Sequence, residues 1–294
     1  MTIEKYINSH IKEQNNKTYI VTGANSGIGF EISKILLEKN ATVIFACRNE
    51  ERANKAINSL DTNIKDRAIF VKLDMADFSS IDQFICEIKA KFPDFDGIIC
   101  NAGVLKPKKE AYTKQGFKCV VGTNLLGTIY LVEQINKHFD EQKKIVLQSS
   151  LLGRVGKYKT GDLINAESMK FHAYNISKLG VNVYFDELLN RDDFIHSVYL
   201  SEPGACYSNI YSSFPKFILP LANLFMKIVF HSPKKGGLSA LCLLCGEYSN
   251  GTILIPRGLF ALSGYPKKIN LSRRIKKSRT LIRDDYRKLL KDYL

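Results

Sequence analysis

The 294-residue sequence lacks an apolar run long enough to cross a bilayer. Its most apolar stretch, Phe217 to Phe230, is interrupted by Pro220, Asn223 and Lys227, and a span needs about 20 residues. The N-terminus is polar (Glu4, Lys5, Asn8, Lys12, Glu13) and carries no apolar h-region, so no signal peptide is expected and a cytoplasmic location is the default. A disulfide framework is also missing. Seven cysteines, an odd number at irregular spacing, sit mostly in apolar runs such as Gly97-Ile98-Ile99-Cys100, which predicts buried, reduced thiols. Cys242-x-x-Cys245 follows Leu238-Ser239-Ala240-Leu241, a segment that reads as buried helix, and no second pair completes a zinc set. The five histidines are scattered without metal spacing. No internal repeat, long linker or low-complexity block divides the chain.

What is present suits one large α/β domain. The apolar fraction is 45% and the charged fraction 24%, ordinary for a globular protein. The net charge of +14 is uneven, because Pro266 to Leu294 holds eleven Lys or Arg against three Asp, a balance of +8. Such charge without a recognition motif gives no reason to expect nucleic acid. The expected divisions are a polar N-terminal extension over 1–15, a domain over 16–265 and a basic tail over 266–294. In the tail, Ile282, Tyr286, Leu289, Leu290, Tyr293 and Leu294 follow helical spacing. Two roles are open to that stripe: packing on the protein itself or at a homo-oligomer contact, or peripheral contact with a membrane surface.

Short apolar runs rich in β-branched residues predict strands at Thr18–Thr22, Thr42–Ala46, Ala68–Leu73, Gly97–Cys100, Lys144–Gln148, His196–Leu200 and Gly251–Leu254. Between the first two, Ile28, Ile32, Ile35, Leu36 and Leu37 share a helical face. Alternation of this kind predicts βαβ units: a doubly wound, parallel sheet of Rossmann type, covered on both faces.

The first predicted strand runs into Thr22-Gly23-Ala24-Asn25-Ser26-Gly27-Ile28-Gly29. Glycines at a strand-to-helix junction let the backbone turn tightly and approach a pyrophosphate at the helix N-terminus. Their spacing is G-x-x-x-G-x-G, not the common dinucleotide fingerprint. An acid at the end of the second strand would select NAD. The chain instead reads Phe45-Ala46-Cys47-Arg48, and the planar fork of Arg48 suits a 2′-phosphate, so NADP (NADPH) is expected over NAD. Further on, Tyr174 and Lys178 stand four apart, on one face of a helix. A tyrosine of pKa about 10 is a poor acid–base group near neutrality until a neighbouring ammonium favours the tyrosinate.

Together these residues resemble the short-chain dehydrogenase/reductases over about residues 16–262, and the resemblance runs closest to the retinol-dehydrogenase-like branch, which shares Ala46-Cys47-Arg48 and a long interval between catalytic Ser and Tyr. The resemblance implies further assignments. Asp74, in Leu73-Asp74-Met75, is the adenine contact; Asn101-Ala102-Gly103 supports the sheet beneath the cofactor; Asn124 bends a helix and anchors a proton-relay water. Ser150, Tyr174 and Lys178 form the catalytic set with Asn124. Pro203-Gly204 follows the sixth strand, and Ser208 stands where the family often has Thr. The segment of about 207–230 is the implied substrate lid. The implied activity is NADP(H)-dependent interconversion of a carbonyl, a lipophilic aldehyde or ketone, and an alcohol. A second reading of the same residues is an NADP-binding regulatory protein without turnover.

Overall fold

A computed structural model of the chain describes residues 1–105, 112–165, 170–206 and 231–294. The strands are β1 Thr18–Thr22, β2 Thr42–Cys47, β3 Ala68–Lys72, β4 Gly97–Cys100, β5 Lys144–Gln148, β6 Ser197–Ser201, β7 Ile253–Pro256 and β8 Pro266–Ile269. They form one sheet in the order β3-β2-β1-β4-β5-β6-β7-β8. The pairings from β3 across to β7 are all parallel, and only β8 is antiparallel to its neighbour. The doubly wound sheet expected from the sequence is therefore present. Strand order reverses between β1 and β4, which opens a crevice at the carboxyl edge of the sheet.

Both faces of the sheet are buried. Ile20, Ile44, Ile98 and Ile145 face one core, while their neighbours Val21, Phe45, Ile99 and Val146 face the other, as the two-residue period of a strand requires. The first core is closed by helices α4 (Phe78–Lys91), α5 (Gly127–His138) and α6 (Lys170–Leu188). The second is closed by α1 (Ile3–His10), α2 (Gly27–Glu38), α3 (Glu50–Asn58) and α7 (Leu238–Cys245). All seven cysteines are free thiols. Among the described residues no helix is long and apolar enough to cross a membrane.

Two elements of the structure, α1 and β8, were not foreseen. The polar stretch 1–15 contains α1, whose Tyr6 and Ile7 are buried together with Ile11 beyond it. Tyr6 stacks on Tyr265 with ring centroids 4.5 Å apart. The tail begins with β8, whose Lys267 and Lys268 are exposed on the sheet edge, where lysine discourages pairing with another chain. It continues as α8 (Arg273–Leu290) along α6. Ile275, Ile282, Tyr286 and Leu290 are buried, Arg279 meets Asp186 at 2.9 Å and Arg287 meets Glu187 at 2.6 Å, and the Tyr286 hydroxyl donates to Glu187. Most of the tail's apolar stripe is thus turned inward onto the chain's own helix.

Candidate active site

The first six strands all deliver site residues to the carboxyl edge of the sheet. After β1, Gly23 and Gly27 adopt φ of +69° and +58°, the left-handed region that glycine enters without a Cβ penalty. Gly29 is needed for a different reason: a Cβ there would lie 2.5 Å from both Asn101 Nδ2 and the Gly23 carbonyl oxygen. Ser26 caps α2 in extended conformation and supplies no side-chain cap bond, and no acid occupies the first turn. By contrast, Asn49 and Asp77 cap α3 and α4 with their side chains. The loop Asn25-Ser26-Gly27-Ile28 therefore leaves the first N–H groups of α2 available to an anion. This is a cradle that fits a pyrophosphate.

After β2, Arg48 is 63% exposed and its Nε lies 4.0 Å from Asp74 Oδ2. Asp74, following β3, is held in place: its Oδ1 accepts from Ala76 N at 3.0 Å, and its own N–H donates to Ser80 Oγ at 3.0 Å. Met75 is buried beside it. Beneath this end of the sheet Cys47 is buried, and burial pushes its thiol up to about 11. It is packing and not a reactive group.

After β4, Asn101 Nδ2 donates to the Thr22 carbonyl at 2.8 Å, and Asn101 Oδ1 accepts from Gln148 Nε2 at 2.8 Å. Ala102 N donates to Thr22 Oγ1 at 2.9 Å. One side chain thereby ties β1, β4 and β5 together at the point of strand reversal. At Gly103 a Cβ would lie 3.3 Å from Asn124 Oδ1 and 3.7 Å from Lys178 Nζ, so the backbone passes close to both.

Asn124 sits in a five-residue π-helical turn, Gly122–Leu126, that leads into α5. Such bulges recur at functional sites. Its Oδ1 accepts from Val104 N at 2.7 Å, and its Nδ2 donates to Val104 O at 2.8 Å and to Ser177 Oγ at 3.2 Å. Ser177 Oγ in turn donates to the Tyr174 carbonyl at 2.7 Å. The amide thus joins the strand behind Gly103 to the helix that carries Tyr174.

On α6, Lys178 Nζ is buried, donates to the Gln148 carbonyl at 2.8 Å and lies 6.0 Å from the Tyr174 ring centroid. Burial pushes its ammonium down to about 8, with the nearby Cys100 opposing the shift. Ser150 caps the short helix Leu151–Val155, its Oγ accepting from Leu152 N at 3.3 Å. That helix rests on α6 through Gly153, where a Cβ would come within 2.8 Å of the Lys178 carbonyl. Two consecutive elements therefore converge on Lys178. Beyond β6, Pro203 O accepts from His231 Nε2 at 2.6 Å and from Cys206 Sγ at 3.2 Å. Gly204 has φ +71°, and a Cβ there would lie 2.6 Å from the Leu262 carbonyl oxygen. Ser208 and the expected lid of 207–230 lie outside the described residues.

Sequence reading overlooked Gln148 and Ser177, which fasten Lys178 and Asn124. Gln148 had a signal, as the one amide closing the apolar run Ile145-Val146-Leu147. It also overlooked Glu202, which is fully buried with Arg154 Nε 2.8 Å away. Burial pushes that carboxyl up to about 7, against the pull of Arg154.

The family described as short chain dehydrogenase matches residues 17–191. Retinol dehydrogenase 14 of Mus musculus is 31% identical over 254 residues, covering 80% of this chain and 75% of that protein. A short-chain dehydrogenase/reductase of Armillaria gallica is 36% identical over 269 residues, 86% of this chain and 85% of that protein. Another from Phomopsis amygdali is 37% identical over 131 residues, and the chain spans only 39% of its length. Among solved structures, an uncharacterized protein from Mycobacterium paratuberculosis superposes with TM-score 0.75 at 23% identity over 96% of each chain. A short-chain dehydrogenase from Shigella flexneri, solved in complex with NADP, does so with TM-score 0.60 at 22% identity, over 82% of this chain and 98% of that one. At these identities the structural matches speak for the fold.

Proposed function

The chain belongs to the short-chain dehydrogenase/reductase family, whose members are oxidoreductases acting on CH–OH donors, and from that premise we propose that it interconverts a lipophilic carbonyl and its alcohol with NADP(H). The observation that carries the proposal is the buried ammonium of Lys178 one helical turn from Tyr174, with Ser150 on the short helix packed against Lys178. The Gly23–Gly29 cradle, Arg48, Asp74, Met75, Asn101-Ala102-Gly103, Pro203-Gly204 and Ser208 would hold the cofactor, which supplies or accepts the hydride.

The protein's own part is proton and charge handling. Ser150 and Tyr174 hydrogen-bond the substrate oxygen and stabilise the negative charge that develops on it. Tyr174 donates the proton in reduction and removes it in oxidation. Lys178 lowers the cost of the tyrosinate by its charge, and Asn124 holds the segment at Gly103–Val104 against α6. The experiment is a screen of purified protein and NADPH against aldehydes, ketones, quinones and retinal. Steady oxidation of NADPH with one class is expected. Tight NADPH binding with no turnover on any would instead favour the regulatory reading.

Cofactor choice gives a separate prediction. Arg48 is exposed at the tip of β2, and β2 itself ends without an acid. NADPH is therefore expected to bind more tightly than NADH. Arg48→Ala is expected to weaken NADPH by about 1.5–3 kcal/mol, the worth of a charge-assisted bond, and to leave NADH nearly unchanged. Equal affinities of the native protein for the two cofactors, measured by fluorescence titration, would reject the assignment.

A further inference from the structure

Leu259 and Phe260, at the tip of the β7–β8 connection, are 77% and 74% exposed, the two most exposed large apolar side chains among the described residues. Their exposure is built in. Phe260 and the next residue, Ala261, have φ of +51° and +57°, a region that a bulky side chain enters only when its surroundings impose it. The surroundings do impose it: Gly258 N donates to Ser263 O at 2.7 Å, Arg257 N to Tyr265 O at 2.8 Å, and Ala261 N to Gly258 O at 2.9 Å. A tightly braced loop thus holds two apolar side chains out into water.

Along the chain, the charge that follows β7 is of one sign. From Ile253 to Arg283 the chain has nine Lys or Arg (257, 267, 268, 273, 274, 276, 277, 279, 283) and no Asp or Glu. Arg257, at the foot of the loop, and Lys267 and Lys268, on the adjoining β8, are exposed, and Lys235 stands over the Tyr265 ring, 5.1 Å from its centroid. Apolar side chains projecting from a basic collar match one kind of partner well: a surface that is anionic outside and apolar a few ångströms deeper. We propose that the β7–β8 loop is a membrane-docking element, inserting Leu259 and Phe260 into an anionic lipid surface while the basic residues around it meet the headgroups. The role falls to this loop and not to α8, whose apolar side is turned onto α6.

The placement has a functional direction. The loop follows β7, parallel to β6, so it lies on the same carboxyl edge as the candidate active site. Leu262 O also accepts from Ala205 N at 2.8 Å, which joins the loop to the backbone just beyond Pro203-Gly204. Docking here turns the mouth of the crevice toward the lipid, a geometry suited to an apolar substrate that resides there. This last point rests on the proposed function, but the docking itself does not.

The sequence has no tryptophan, so Phe260→Trp provides a single reporter. Its emission is expected to shift to the blue when vesicles of phosphatidylserine and phosphatidylcholine are added at low salt, and to be quenched by brominated acyl chains. The native chain is expected to co-sediment with these vesicles, less so in 1 M salt as the charges are screened. The double variant Leu259→Ser/Phe260→Ser is expected to partition at least about 10-fold less. An emission unmoved by the vesicles, or a double variant that sediments as well as the native chain, overturns the proposal. So does light scattering that finds a dimer of the native chain and a monomer of the double variant, since a second copy would then cover the pair. None of these readouts depends on turnover, so they stand whether or not the enzymatic assignment does.

Discussion

Tyr174→Phe is expected to cut turnover by 10²–10⁴-fold, the usual worth of general acid–base catalysis, while folding and NADPH affinity stay near native. The ring of Tyr174 packs against the core cluster that includes Ile176 and Leu179, and phenylalanine keeps that packing. The helix backbone also keeps its bond from Ser177 Oγ to the carbonyl of residue 174. Only the hydroxyl is removed, so a rate effect without a binding effect isolates its chemistry. Turnover of each variant on the best substrate from the screen, together with NADPH titration, gives the measurement. A variant turning over near the native rate would reduce Tyr174 to a packing residue and end the proposed mechanism.

Lys178→Met should damage activity more, because it removes the charge beside Tyr174, yet it should not destabilise the apo protein at neutral pH. Burial lowers the Lys178 pKa from 10.5 to about 8. A shift of that size corresponds to a penalty of about 3 kcal/mol for holding the charge in the folded state. The sign follows from proton binding: between about 8 and 10.5 the unfolded chain holds more protons, so stability rises with pH across that window. Below about 8 the penalty is present in full. Methionine removes it but leaves the Gln148 carbonyl without its donor, at a cost of about 1–3 kcal/mol. The variant is therefore expected to be more stable than the native chain by about 1 kcal/mol at pH 7, and less stable as pH approaches 10.5. Urea unfolding of both proteins at pH 7 and pH 10 tests this. Parallel curves with no crossing would mean that Lys178 is not held in the folded state as a buried charge.

Much of this architecture was legible in the sequence because its signals are local. The predicted strands at Thr18–Thr22, Gly97–Cys100 and Lys144–Gln148 agree with the structure to the residue, each being an apolar run bounded by polar residues. His196–Leu200 and Gly251–Leu254 lie one and two residues early, since pairing of Leu200 with Ile253 and of Ser201 with Leu254 sets those ends and not composition. The β8 strand was hidden because Pro266-Lys267-Lys268-Ile269 offers no apolar alternation and exists only by pairing with β7. In the site, the Gly23–Gly29 junction and the Tyr174/Lys178 spacing are short patterns with a direct physical meaning. The amide clamp of Asn124 on Val104, twenty residues away, and the hold of Gln148 on Lys178, thirty away, are products of the fold and leave no local trace.

The fastening of α8 onto α6 also orders events during synthesis. Asp186 and Glu187 find their partners Arg279 and Arg287 only 93 and 100 positions later. At about 5–20 residues per second, the face of α6 that bears Tyr184 waits roughly 5–20 seconds on the ribosome before its cover has been made. Throughout that interval two carboxylates and an aromatic ring, later buried, lie open on the helix whose other end carries Tyr174 and Lys178. The pace of translation across residues 190–280 therefore sets how long that face stays open before α8 can cover it.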